Sequence, residues 1–453
     1  MKAEKKIRIS QCMIVKNEEK NIEKALSWGR EIMWEQIVVD TGSTDRTVEI
    51  AERMGAKVFH FSWIDDFSAA KNAAIGRAQG DWIAFLDADE YMMPEDAAKL
   101  PALLGRLQAQ GFDGLQTGLQ LVDETGRILS SGTHVRFFRN DPDIRYRRRI
   151  HEQLSRMSGR NLRLGDASGE LSVFHVGYQA EAAEKKKGRN RRLILAELEE
   201  HPQDSELLGY MGDDCFGDGE TEEAERWYRR AVEQMPDRLA EYDQRSAYTF
   251  TNLLKILTGK EDAQWEDAEE VYRLAVRLLP GEADFDYVAG CFFAEKEDAQ
   301  SAVQYLETAL GKLETYGCSN RAFLLAGNLL EAYELLSACC RETGELQKCV
   351  NYAVACLKYD RYRMRALDCL LGTLLSGRGG PEGTAEQEAV LGFLQKLYEV
   401  KDLKDRLFLL KTAERSGRGG FAGFLRNRLF TEEELGRFGL QRDFVREGAG
   451  DRK

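Results

Sequence analysis

Between Arg8 and Asp87 four short apolar runs, Arg8–Val15, Gln36–Asp40, Lys57–Phe61 and Trp82–Asp87, alternate with segments of helical periodicity. Runs this short and this rich in β-branched and aromatic residues suit strands buried on both faces. The segments between them, Glu18–Ser27, Thr47–Met54 and Ser68–Ala78, repeat apolar residues as amphipathic helices do, and Ser43-Thr44-Asp45 supplies N-cap residue types ahead of the second. Strands and helices alternating in this way wind into a parallel sheet with right-handed crossovers and helices on both faces. Such sheets bind ligands at the carboxyl ends of their strands. Three stretches are therefore candidates for chemistry: Lys16-Asn17-Glu18, Asp40-Thr41-Gly42-Ser43 and Asp87-Ala88-Asp89-Glu90.

Beyond residue 112 the pattern changes. Gly114–Val122 and Arg127–Ser130, joined by an Asp123-Glu124-Thr125-Gly126 turn, predict hairpins appended to the sheet. From about residue 181 the strand signal ends and helical periodicity continues to about residue 412. Leu208, Met211, Gly212, Cys215, Ala224, Tyr228, Ala231 and Pro236 follow the tetratricopeptide spacing, a period of about 34 residues. Ala268, Tyr272, Ala275 and Pro280 repeat its second helix, Ala302, Leu306 and Ala309 follow, and Gly344, Cys349, Ala353 and Cys356 make a weaker fourth copy. Small residues at these positions let paired helices approach closely. The expected organisation is an α/β domain over 1–180, a linker helix over 181–200, repeats over 201–370, and a helical cap with a polar tail over 371–453.

Phe85-Leu86-Asp87-Ala88-Asp89-Glu90 brings three acids to a strand end within four positions, where they repel unless a cation sits among them. Hard divalent cations such as Mg²⁺ or Mn²⁺ take carboxylate oxygens and bridge to substrate phosphates. A formal net charge of −13 argues against nucleic acid as the main partner. The 9 Cys form no CxxC pair and read as reduced thiols packed as small apolar residues, which fits a cytoplasmic protein. No apolar run approaches the ~20 residues that a membrane span needs.

Four ordered motifs now carry a resemblance. Ile14-Val15-Lys16-Asn17-Glu18-Glu19, Val38-Val39-Asp40-Thr41-Gly42-Ser43-Thr44-Asp45-Arg46-Thr47, Asp66-Phe67-Ser68-Ala69-Ala70-Lys71-Asn72 and Gly80-Asp81-Trp82-Ile83-Ala84-Phe85-Leu86-Asp87-Ala88-Asp89-Glu90 closely resemble the family 2 glycosyltransferases of the GT-A fold, a Rossmann-like mixed-sheet architecture. Arg136-Phe137-Phe138-Arg139-Asn140, Ile150-His151-Glu152-Gln153-Leu154 and His175-Val176-Gly177-Tyr178, ahead of tetratricopeptide repeats, resemble a branch that includes sublancin-type peptide S-glycosyltransferases. The resemblance implies a nucleotide-diphosphate sugar, a UDP-hexose, as donor, with Asp40 at its base, Asn17 and Glu18 nearby, and Asp87, Ala88 and Asp89 at its ribose, metal and diphosphate. It also implies an inverting, metal-dependent transfer with Mn²⁺ or Mg²⁺ on Asp87, Asp89 and His175. Lys71 is the further candidate for a phosphate contact.

Inverting transfer needs a carboxylate that takes the acceptor's proton. Glu152 is the first choice, with Glu90 and Asp123 as secondary choices; His151 competes with His175 as a metal ligand. The arginines from Arg136 through Arg163 suit phosphate or an acidic acceptor, and equally suit pairing with the acidic helical half. A dinucleotide-dependent oxidoreductase is excluded, because Lys16-Asn17-Glu18-Glu19 stands where Gly-x-Gly-x-x-Gly would be. A non-catalytic peptide-binding scaffold is the alternative from another class, and it predicts decay of motifs that are intact here. The acceptor is expected to be a peptide or protein Cys, Ser or Thr, with a surface glycan or lipid-linked acceptor as the alternative. The repeats are expected to carry acceptor recognition or homo-oligomerisation, leaving donor hydrolysis to residues 1–180.

Overall fold

A computed structural model describes residues 7–123, 125–176, 180–241, 243–317, 322–375 and 384–439. The chain divides into two compact units, Met1–Gln234 and Met235–Lys453. A boundary at residue 180 thus falls inside the first unit. Gly177, Tyr178, Glu124 and Cys318 lie outside the described residues.

The first unit is built on strands β1 (Ile9–Val15), β2 (Glu35–Asp40), β3 (Lys57–His60), β4 (Trp82–Phe85), β5 (Glu90–Met92), β6 (Gly114–Val122), β7 (Ile128–Arg139), β10 (Leu164–Asp166) and β11 (Ser172–His175), in the order β3-β2-β1-β4-β7-β6-β11-β5 with β10 beside β6. The first four pair in parallel, as their alternation with helices α1 (Ile22–Ser27), α2 (Thr47–Arg53) and α3 (Phe67–Ile75) predicts. Side chains of β4 point alternately to the two faces of the sheet. Trp82, Ala84 and Leu86 join the core on one side with Leu100, Leu104 and Leu107, while Ile83 and Phe85 pack on the other with Ala74, Ile75 and Tyr146. Helices α4 (Pro94–Ala97) and α5 (Leu100–Ala109) precede β6, and β8 (Ile144–Arg147) and β9 (Gln153–Arg156) form a separate hairpin.

The strand after the Asp123 turn does not stop at Ser130, and it is not part of an appended hairpin. It runs to Arg139 and lies inside the sheet, antiparallel to both β4 and β6. Phe137 and Phe138 are fully buried, and a buried backbone needs hydrogen-bond partners on both sides, which only an interior strand receives.

Helices α6 (Ala180–Glu200), α7 (Ser205–Gly217) and α8 (Thr221–Glu233) complete the first unit, and α7 with α8 is the first repeat. Ala224, Tyr228 and Ala231 are fully buried on its second helix. In the second unit the repeats are α9 (Gln244–Thr258) with α10 (Trp265–Leu278), α11 (Asp284–Glu295) with α12 (Ala299–Tyr316), and, after the short α13 (Phe323–Gly327), α14 (Leu329–Glu342) with α15 (Leu346–Tyr359). The small residues predicted to face inward do so: Ala268, Ala275, Ala302, Ala309, Cys349, Ala353 and Cys356 are buried. Helices α16 (Met364–Leu374), α17 (Thr384–Leu394), α18 (Leu403–Arg415), α19 (Gly419–Leu429) and α20 (Glu432–Arg437) follow, sharing one apolar core with the end of α15. The described cysteines are free thiols, most of them buried. Among the described residues no helix is long and apolar enough to cross a membrane.

Candidate active site

The loops after β1 and β2 are tied to each other. The amide of Asn17 donates to the Ser43 hydroxyl at 2.9 Å, the Asn17 side-chain oxygen accepts from the amide of Thr44 at 2.8 Å, and the amide of Glu18 donates to the Thr47 hydroxyl at 2.7 Å. Asn17 has φ +57, a left-handed conformation that asparagine tolerates better than most residues. Its side chain therefore builds the loop, and Glu18 accepts from the Asn21 amide at 2.8 Å. Asp40 is buried at the end of β2, where the amides of Gly42 and Ser43 donate to it at 3.1 Å and His60 Nδ1 lies 3.4 Å away. Burial alone would raise its carboxyl, but hydrogen bonds from Ser43 and Gly42 and the contact with His60 hold it below the usual range.

The acids after β4 go to different partners. Asp87 stands between two cations, Lys71 Nζ at 3.7 Å and Arg136 Nη2 at 3.2 Å. Burial opposes its charge, yet Lys71 and Arg136 hold the carboxyl well below the usual carboxylate range. Ala88 is buried in the core with Met13, Val15 and Ile22. Asp89 meets His175 at the end of β11, with Oδ2 3.1 Å from Nε2, and the amide of Val176 donates to its carbonyl at 3.0 Å. Accepting from the protonated ring, Asp89 raises the His175 imidazole above its ordinary value. Glu90 is 1% exposed, pairs with Arg136, and accepts from the amide of Asp87 at 3.0 Å; it is fully engaged as a structural counter-ion. Asp123 likewise serves its turn, accepting from Thr125 and Arg127.

Lys71, on α3, is 4% exposed and forms an ion pair with Glu152 as well as with Asp87. Burial works against its charge, and Asp87 and Glu152 more than restore it. Residues distant in sequence thus converge: one buried ammonium joins the first acid after β4 to the acid that the Ile150–Leu154 motif singled out. His151, the competing ligand, stacks on Tyr210, with ring centroids 3.8 Å apart and an interplanar angle of 5°. Among the described residues no group of three or more His, Cys, Asp or Glu side chains is gathered to hold a metal ion. Asp89 and His175 supply an oxygen and a nitrogen donor at one point.

Sequence reasoning grouped Arg136 with the other arginines and missed its position. It is buried between Asp87 and Glu90, with its Nε lacking a hydrogen-bond partner. The available signal was its place directly before the apolar Phe137-Phe138 pair; its neighbour β4 is supplied by the strand order alone. The remaining arginines divide. Arg148 pairs with Asp204 and Glu206, Arg149 with Glu200, and Arg156 with Asp113, Asp141 and Asp143.

The model of Glycosyl transferase family 2 matches residues 10–177, which take in every strand described above except the first residue of β1. Over residues 10–177 the chain is similar to the family 2 glycosyltransferases. The chain is 35% identical over 235 residues to a TPR repeat-containing protein of Synechococcus elongatus, covering 50% of this chain and 57% of that one. It is 27% identical over 224 residues to the SPbeta prophage-derived glycosyltransferase SunS of Bacillus subtilis, covering 49% of this chain and 52% of that protein. The chain thus spans about half the length of these curated relatives. Among solved structures, S. aureus TarS is similar at 16% identity and a TM-score of 0.33, over 58% of this chain and 55% of that one. A domain similar to the family 2 glycosyltransferases, followed by successive helix pairs, is the architecture of this chain.

Proposed function

We propose that this protein transfers a hexose from a UDP-sugar to a Cys, Ser or Thr side chain of a peptide or protein, with inversion at the sugar. The observation that carries this reading is the Asp87–Lys71–Glu152 chain of ion pairs. It supports a site in which the donor's diphosphate lies beside Asp87 and Asp89, and the acceptor's proton-taking group stands within one side chain's reach. Asp40, with Asn17 and Glu18 at the adjoining strand end, is proposed to receive the base, and Asp87 with Asp89 the ribose.

Mn²⁺ or Mg²⁺ fits the donor set. Small hard cations bind through one or two carboxylates, waters and substrate phosphates rather than through a full protein cage, and Asp89 with His175, which hydrogen-bond to each other, would supply an oxygen and a nitrogen donor, with Asp87 two residues before Asp89. When bound, the cation would neutralise charge on the leaving diphosphate. Glu152 takes the proton of the attacking hydroxyl or thiol as the acceptor atom bonds to the anomeric carbon and the sugar–phosphate bond breaks. Lys71 fixes Glu152 by its ion pair, and Arg136 with Glu90 fixes Asp87. The helix pairs of the second unit suit an extended polypeptide, since repeat arrays present long concave surfaces.

Two variants test the reading. In calorimetry, UDP should bind only with Mn²⁺ or Mg²⁺ present, and Asp89→Ala should abolish that metal-dependent binding. Glu152→Gln should cost about 10²-fold or more in kcat with donor affinity nearly unchanged. UDP binding to Asp89→Ala in excess chelator at wild-type strength would remove the metal and donor assignment, and wild-type turnover of Glu152→Gln would remove the base.

A further inference from the structure

The loop carrying Glu152 keeps its shape through groups that belong to helices outside the sheet. Arg148 and His151 have left-handed backbones, with φ +77 and +51, conformations that non-glycine residues hold only where their surroundings impose them. The N-terminal end of α3 supplies one side: the amide of Phe67 donates to the Arg149 carbonyl at 2.8 Å and the Ser68 hydroxyl to the Arg148 carbonyl at 2.5 Å. The other side comes from α6 and α7. Glu197 accepts from the amide of Arg149 at 2.8 Å, and Glu200 pairs with the Arg149 guanidinium. Asp204 and Glu206 hold Arg148 at 3.0 and 3.2 Å, Glu206 also accepts from the Gln153 amide, and Tyr210 stacks on His151. These contacts bracket Glu152 on both sides along the chain.

We propose that α6 and α7 are a clamp that sets the position of Glu152, with Glu197, Asp204, Glu206 and Tyr210 as positioning residues acting through the 148–153 loop. The inference rests on the reading of Glu152 as the base, and it makes the first helices after the sheet part of the catalytic apparatus rather than a spacer. Asp204 also caps α7, accepting from the amides of Glu206 and Leu207 at 3.0 Å, so its removal would confound helix stability with loop position. Tyr210 and Glu206 are the cleaner probes.

The test uses the full chain, with UDP-glucose and Mn²⁺ as the probe for turnover, UDP with Mn²⁺ for calorimetry, and limited trypsin cleavage after Arg147, Arg148 and Arg149 as a direct report on the loop. Tyr210→Ala should lower kcat at least about tenfold, because small misplacement of a reacting group is costly, while UDP affinity stays within about twofold. The same variant should speed cleavage in the loop, and Tyr210→Phe, which keeps the ring, should restore both readouts. In a Glu152→Gln background Tyr210→Ala should have no further effect on kcat, since a misplaced base and a missing one are equivalent. Glu206→Gln should shift both readouts in the same direction and serves if Tyr210→Ala does not fold. Wild-type protease resistance in both variants overturns the clamp, as does a kcat loss that persists undiminished in the Glu152→Gln background. The proteolysis arm needs no donor, so it decides the clamp whichever sugar is used. Failure of the underlying reading looks different: Glu152→Gln alone would then turn over at the wild-type rate.

Discussion

Lys71 shows how one side chain sets the character of the site. It is nearly inaccessible to water, yet it neutralises two carboxylates, the partly exposed Asp87 and the more buried Glu152. Removing one member of such a cluster leaves charge without a partner, which in buried pairs costs about 3–5 kcal/mol. Lys71→Met should therefore lower the free energy of unfolding by about 3 kcal/mol, the lower end because Asp87 retains some exposure. Adding Glu152→Gln to Lys71→Met should recover part of the loss, because the stranded Glu152 charge is gone while Asp87 keeps Arg136. Denaturant titration of the two variants checks this; equal stabilities for the single and double variants would mean that the ion pair does not matter energetically.

At the scale of elements, the helix pairs depend on glycines where helices cross. A Cβ added at Gly212 would lie 2.5 Å from the Tyr228 ring, and one at Gly290 would lie 2.6 Å from Leu306. Overpacking of this kind costs about 1–3 kcal/mol. Gly212→Ala should lower the thermal midpoint, whereas Gly217→Ala in the same helix, which meets nothing within 4 Å, should be neutral or slightly stabilising. The β8–β9 hairpin depends instead on charge. Asp143 accepts from the Ser158 amide at 2.7 Å, the Ser158 hydroxyl at 2.8 Å and Arg156 at 2.8 Å. Led by the Ser158 hydroxyl and Arg156, these bonds push its carboxyl down to about 2. A carboxyl lowered on folding stabilises the native state above its unfolded pKa of ~4, and the contribution is lost as pH falls through the folded value. The midpoint difference between wild type and Asp143→Asn should therefore be full at neutral pH and shrink as pH falls from about 4 toward 2.

At the scale of the molecule, the division between Gln234 and Met235 predicts which fragment carries donor chemistry. A fragment of residues 1–234 keeps α6, α7 and the loop contacts they make, and should retain metal-dependent UDP binding with Glu152-dependent donor hydrolysis. A fragment of residues 1–180 lacks Glu197, Asp204, Glu206 and Tyr210. It should lose that hydrolysis even where UDP binding survives, because the Asp40 and Asp89 ends are built within the sheet. Equal hydrolysis by the two folded fragments would contradict this assignment. Transfer to the physiological acceptor is expected to need residues beyond 234 as well.

The strand-end positions of Asp40, Asp87 and Asp89 were legible because the information is local: a buried strand announces itself by an apolar run, and the residues that end the run stand at the carboxyl ends of the strands. The repeats were legible for a related reason, since a fixed period of small residues needs no knowledge of distant parts of the chain. What the tertiary structure decided are the partners. The strand order puts β7 beside β4, and only that adjacency brings Arg136 to Asp87 and Glu90. The packing of α3 against β8 brings Lys71 and Glu152 together, with Asn72 bonding both the amide and the carbonyl of Tyr146. Asn17, read from the sequence as a donor contact, spends its side-chain oxygen on Thr44 across the strand-end loops. Periodicity records which face of an element is buried, but an ion pair between elements depends on which neighbour the topology supplies, and no local pattern records that.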